Sequence, residues 1–169
     1  MSEDIIAQAS AKAAEAVTYG GCSQAVLGAL QETLNIGNGE SFRAGTVLAA
    51  GVAKRGETCG AVIGALMALG IARGRSTMSD KQAYSRAMDD AQDVIDAFKT
   101  GIEQHYKMSE PLANTMCPVI QEIVFGRSFN FLEKSDQTAF LDAGGYAPDG
   151  CPAVCAIAAA AAARKILES

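Results

Sequence analysis

Five cysteines are the residues of this chain whose type and setting could do chemistry. Cys22 follows Gly20-Gly21 and opens an apolar-periodic stretch, and Cys59 opens the run "CGAVIGALMALG". Cys117 and Cys151 are each followed by proline, which is favoured at the first position of a helix because its missing N–H would be unpaired there anyway. Four cysteines therefore stand at expected helix starts. Such positions present unpaired N–H groups and the positive end of the helix dipole, which favour a thiolate over a thiol and would also stabilise an anionic cluster.

If the fold brings those four starts together, three chemistries are open. Four thiolates could ligate an iron–sulfur cluster for electron transfer, or zinc in a tetrahedron, which would make the domain structural or a binding module. The cysteines could instead work as thiols, with Cys59 attacking a disulfide or peroxide and Cys22, or the Cys151/Cys155 pair, resolving it. In the third reading there is no redox chemistry: buried cysteine behaves as a small hydrophobe, and the chain is a helical interaction or scaffold module without metal. Cys155, one helical turn after Cys151 in an alanine run, fits core packing, a resolving thiol or a substitute ligand. Gly60 and Gly64 lie four apart on one helix face, so a neighbouring backbone or a cofactor can approach that face nearly to contact.

Other candidates are weaker. His105 is the only histidine, and its place on a long helix reads as surface. Asp89, Asp90, Asp93 and Asp96 form an acidic face of the kind that is usually solvated. "GIARGRS" and "GNGES" have neither the spacing nor the strand context of a phosphate loop. Arg127 could neutralise an anionic cluster, but capping the last carbonyls of the preceding helix is the reading preferred here.

The elements that must position the cysteines read as helices throughout, with no period-two strand, so the fold class expected is all-α: a multi-helix bundle with four helix N-termini converging on a cysteine site. At 169 residues the chain suits a single domain. Helices are expected over about residues 3–18 (inward Ile5, Ala9, Ala13, Val17), from Cys22 to the turn at "NIGNG", and through "SFRAGTVLAAGVA". Others should cover about residues 58–73, a long stretch from Ser79 or Asp80 to Tyr106, "CPVIQEIVFG", a short piece near 135–143, and Pro152 onward. On the long helix Tyr84, Met88, Ala91, Ile95, Phe98 and Ile102 share a face. The run "AVCAIAAAAAA" is well short of the roughly 20 residues a membrane span needs, and reads as a buried helix.

A formal net charge of -5 without a basic stripe makes nucleic acid an unlikely partner class. The first residues, "MSEDIIAQAS", lack the basic leader and apolar core of an export signal, so the expected location is cytoplasmic. There thiols stay reduced, which favours ligand, redox or core roles over a disulfide framework.

The residues also resemble a known family. Cys59-Gly60-Ala61-Val62-Ile63-Gly64 fits CGAxxG, preceded by Cys22 in "GCSQAVLGAL" and followed by Cys117 and Cys151. The chain is similar, from about Gly20 onward, to the redox-active proteins named after the pattern C_GCAxxG_C_C. "CPVIQEIVFGRSFNF" and "FLDAGGYAPDGCPAVCAIAAAAAARKIL" look like that family's later segments. The resemblance implies that Cys22, Cys59, Cys117 and Cys151 are the functional set, with Cys155 an addition. It also implies a small helical protein working beside a redox partner protein or oxidoreductase. A further similarity, to the non-haem portion of split-Soret cytochromes, suggests an iron–sulfur centre. No CxxCH is present, so covalent haem is not implied. Alanine and glycine faces would suit a homodimer.

Overall fold

The computed structural model describes residues 1–168, and within them the chain forms eight α-helices. They are α1 (Ser2–Ala16), α2 (Cys22–Leu34), α3 (Gly39–Ala44), α4 (Gly60–Arg73), α5 (Lys81–His105), α6 (Cys117–Phe125), α7 (Lys134–Asp142) and α8 (Cys151–Leu167). The local signals act as their chemistry dictates. Glu3 and Asp4 complement the dipole at the start of α1, and Gly20 and Gly21, at φ 89° and 80°, stop the chain after a 3-10 turn and aim it into α2. Asn38 and Ser41 form a capping box on α3, and the Asp80 carboxylate accepts from the Ala83 N–H to cap α5. Pro118 and Pro152 occupy the first turns of α6 and α8.

Helix α8 is the hub. Its alanines bury on several sides at once, so α1, α2, α4 and α5 all pack against it. Short side chains let those axes approach closely, and the larger apolar groups come from the surrounding helices: Val26, Leu27 and Leu30 of α2, Leu69 of α4, and Val94, Phe98 and Ile102 of α5. Helix α4 comes closest to α2. A Cβ added to Gly64 would collide with the carbonyl oxygen of Ser23, so here the glycine face serves helix packing.

Several expectations need correction. In α1 it is Ile6, beside Ala9 and Ala13, that is fully buried; Ile5 is only partly covered. In α5 burial is confined to the second half, and Tyr84 and Met88 are each 47% exposed. The acidic face of α5 is not simply solvated: Asp90 pairs with Arg73 of α4 at 2.9 Å, and Lys165 of α8 reaches Asp93 at 2.7 Å and Asp90 at 3.3 Å. Those pairs tie three helices together, and the Arg73 guanidinium, with Lys165 assisting, holds the Asp90 carboxyl below its ordinary range.

The largest departure is the segment expected as one helix through "SFRAGTVLAAGVA". It is α3, a 3-10 turn at Thr46–Leu48, and then a left-handed run at Ala50, Gly51, Val52, Ala53 and Lys54 with φ of 54°, 68°, 58°, 51° and 66°. Left-handed backbone costs roughly 1–2 kcal/mol per non-glycine residue. Hydrogen bonds across the loop hold it there: the Glu57 N–H donates to the Gly51 carbonyl at 2.8 Å and the Ala53 N–H to the Val47 carbonyl at 2.9 Å, while buried Ser23 of α2 donates at 2.8 Å to the carbonyl of Gly45, where the chain leaves α3. Among the described residues no helix is long and apolar enough to cross a membrane.

Three substitutions test this packing by urea denaturation. Gly64→Ala should destabilise by roughly 1–3 kcal/mol through forced displacement of α2, whereas Gly70→Ala in the same helix, where a Cβ meets nothing within 4 Å, should stabilise by up to about 1 kcal/mol. Ala53→Gly should stabilise by about 1 kcal/mol, because left-handed backbone suits glycine; in a right-handed helix the same change would cost about that much.

Candidate functional site

Each of the four expected helix starts is observed. Cys22, Cys117 and Cys151 are the first residues of α2, α6 and α8, and Cys59 is the N-cap of α4. The backbone explains why they meet. The Cys59 N–H donates to the Thr115 carbonyl and the Cys117 N–H to the Glu57 carbonyl, both at 2.8 Å, so an isolated antiparallel bridge between Thr58 and Met116 stitches the starts of α4 and α6 side by side. It also delays α4, which begins at Gly60 and not at Thr58. Cys151 is fixed by its own N–H on the Gly145 carbonyl at 2.9 Å.

Cys22, Cys59, Cys117, Cys151 and also Cys155 line one cavity of about 650 Å³. Cys155 is fully buried, Cys59 and Cys117 nearly so, and Cys22 and Cys151 keep a partly accessible edge. The walls are aliphatic and aromatic, and five aromatic rings (Phe125, Phe129, Phe131, Phe140 and Tyr146) meet edge to face around Phe140 beside it. Gly60 adjoins the site: an added Cβ would stand 2.5 Å from the Cys22 sulfur. Neither Gly60 nor Gly64 is among the lining residues; Gly60 approaches the site only through the Cys22 sulfur, and Gly64 packs on the backbone of Ser23.

The electrostatics oppose bare thiolates. Burial pushes the Cys22 thiol up, against the pull of backbone N–H groups of Ala50, Ser23, Cys22 itself and Gly60. Burial, and then the neighbouring Cys22 and Cys117, push Cys59 well up, with the Ala61 and Val62 N–H groups opposing. Cys117 is pushed up to about 12, first by burial and then by Cys22 and Cys151, and Cys151 and Cys155 rise for the same reasons. Helix-start donors are thus present, yet desolvation outweighs them. Among the described residues no three or more His, Cys, Asp or Glu side chains close on a single metal ion.

Two supporting residues carried no clear signal in the sequence. Gln121, buried on α6, donates its amide to the Cys117 sulfur at 3.5 Å and accepts the Phe129 N–H at 2.8 Å. Its spacing of one helical turn from Cys117, inside an apolar stretch, was the available hint. Ser23 is buried beside Cys22 and ties the end of α3, at the Gly45 carbonyl, to α2. Arg127 neither caps α6 nor lines the cavity. Gly126, at φ 71°, ends that helix, while Arg127 lies over the Phe129 ring and pairs with Asp136. His105 sits at the surface, 3.5 Å from Asp149.

A family model described as "Putative redox-active protein (C_GCAxxG_C_C)" matches residues 21–166, most of the chain, and the chain belongs to that family. No curated protein and no solved structure matches it in the same comparisons.

The thiol environment has a direct test in metal-free protein. A group with its pKa near 12 holds about 1000-fold less thiolate at pH 8 than an ordinary cysteine. Native-state alkylation of Cys117, followed by mass spectrometry, should therefore be slower than in the unfolded chain by roughly 100-fold or more, the greater nucleophilicity of a high-pKa thiolate offsetting part of its scarcity, and should rise about tenfold per pH unit between pH 8 and 11.

Proposed function

We propose that this member of a redox-active family carries electrons on an iron–sulfur cluster held by Cys22, Cys59, Cys117 and Cys151. The observation behind this reading is the gathering of five sulfurs on one cavity, with backbone N–H groups turned toward Cys22 and Cys59. The donor set fits: the lining includes no histidine and no carboxylate, and thiolates alone suit a soft, sulfur-bound centre. The charge also fits, because buried sulfurs that resist ionising alone need positive charge beside them, and iron provides it. When bound, such a cluster supplies one-electron storage.

The chain's own residues then have defined tasks. Ala50, Ser23 and Gly60 offer N–H groups to the Cys22 sulfur, Ala61 and Val62 to Cys59, and Gln121 its amide to Cys117. Each donor favours the more negative state and so raises the reduction potential. Aliphatic and aromatic walls limit water. Cys155, one turn beyond Cys151, is a spare sulfur and not a required ligand. A partner protein or oxidoreductase would deliver and remove the electrons.

Zinc is less well supported, because four sulfurs would have to draw onto one ion, whereas cluster thiolates bind separate irons. Thiol–disulfide exchange through Cys59 has in its favour the nearness of Cys22 and Cys117. Against it, burial raises the Cys59 thiol, the reverse of what an attacking thiolate needs.

Anaerobic purification with iron, zinc and acid-labile sulfide analysis tests the reading. Iron and sulfide should be present together, fall to background in Cys22→Ser, Cys59→Ser, Cys117→Ser and Cys151→Ser, and persist in Cys155→Ala. Stoichiometric zinc, or metal-free protein with rapidly alkylated Cys59, would overturn it.

A further inference from the structure

The cavity is larger than its sulfur-bearing side. Its volume, about 650 Å³, lies within the roughly 300–1,000 Å³ of small-molecule sites. The cysteines occupy one part of the lining. Another is aromatic, with Phe125, Phe131 and Tyr146 each set edge to face against Phe140, and a third is the left-handed loop with Ala50, Ala53 and Lys54. The rim is apolar and open: Val47 is 65% exposed and Leu141 57% exposed. Large exposed apolar groups at a cavity mouth suit entry of an apolar molecule.

The polar atoms of the lining narrow the ligand class. Gln121 is engaged with Cys117 and Phe129, Gln137 donates to the Phe131 carbonyl, and Thr46 donates to the Arg43 carbonyl. Among the described residues that leaves the hydroxyl of Tyr146 and the amine of Lys54 without a hydrogen-bond or ion-pair partner. Both can donate. A cation would be repelled by Lys54, and a sugar or peptide would strand its polar groups against hydrocarbon. A flat, apolar body with carbonyl oxygens would satisfy both the walls and the two donors.

We propose that this cavity binds a quinone, its ring against the Phe140 cluster and one carbonyl oxygen accepting from the Tyr146 hydroxyl, with Lys54 donating to the other. Binding itself does not require the cluster; only the quinone's place beside a redox centre rests on the function proposed above.

Isothermal titration with duroquinone, under anaerobic conditions, tests it. Every ring carbon of that probe is already substituted, so the cysteine thiols have no free position to add to. The purified protein and the Cys117→Ser/Cys151→Ser variant are titrated in parallel, each with its iron content measured. One-site binding is expected in the purified protein. It should weaken about tenfold in Tyr146→Phe, which loses one hydrogen bond but keeps the ring, and at least as much in Leu141→Lys at the exposed rim. Absence of binding up to the solubility limit overturns the quinone and leaves the cluster standing if iron is present. Binding indifferent to both substitutions also overturns it, as does equal competition by decanoate, whose carboxylate would seek Lys54 without needing a flat wall. Binding without iron in either protein upholds the quinone and removes the cluster.

Discussion

Helix α4 lies so close to the first turn of α2 that neither Gly60 nor Gly64 has room for a side chain. Everything chemical in this molecule depends on that approach. Gly64 abuts the backbone of Ser23, and the contact sets how deeply α4 sits; Gly60, one turn earlier, then meets the Cys22 sulfur itself. Cys59, as N-cap, is carried to the same place. One packing constraint therefore fixes two of the four sulfurs, and the short bridge at Thr58 and Met116 fixes a third by tying α6 to α4.

Around that contact the structure balances two opposed electrostatic effects. Helix starts and the left-handed loop turn N–H groups toward sulfur, which favours negative charge. Burial disfavours it, and the rise of all five thiols indicates that burial prevails when nothing positive is bound. Such a site is poorly suited to a free nucleophilic thiolate. The strained run at residues 50–54 belongs to the same balance: non-glycine residues there accept unfavourable backbone, and the Ala50 N–H reaches Cys22 as a result.

The alanine-rich hub serves this arrangement from behind. Because α8 is thin, α1, α2, α4 and α5 can all touch it, and its first residue, Cys151, is held near the other helix starts. Ion pairs from Asp90 and Asp93 to Arg73 and Lys165 brace the opposite end of α8, away from its cysteines. Near the sulfurs, the phenylalanines of α6, α7 and their connections build a hydrocarbon wall that no helix of the hub could supply.

The helical class, most helix starts, the buried character of α8 and the placing of Cys22, Cys59, Cys117 and Cys151 at helix starts were legible in the sequence because they rest on local signals; that these starts meet on one cavity depends on the packing of α4 against α2 and on the Thr58–Met116 bridge. Apolar periodicity, proline in a first turn and glycine at a stop act within a few residues. What Gly60 and Gly64 each meet, the left-handed loop in place of a third long helix, and the parts played by Gln121 and Ser23 were not legible. Nor was the outward face of Tyr84 and Met88, although their spacing matches that of Phe98 and Ile102. Periodicity states which residues share a face, but only the neighbouring helices decide whether that face is covered. The same holds for the thiols: sequence placed them at helix starts, where the dipole favours charge, and tertiary burial reversed the sign, because desolvation depends on everything that surrounds a sulfur and not on the turn that carries it.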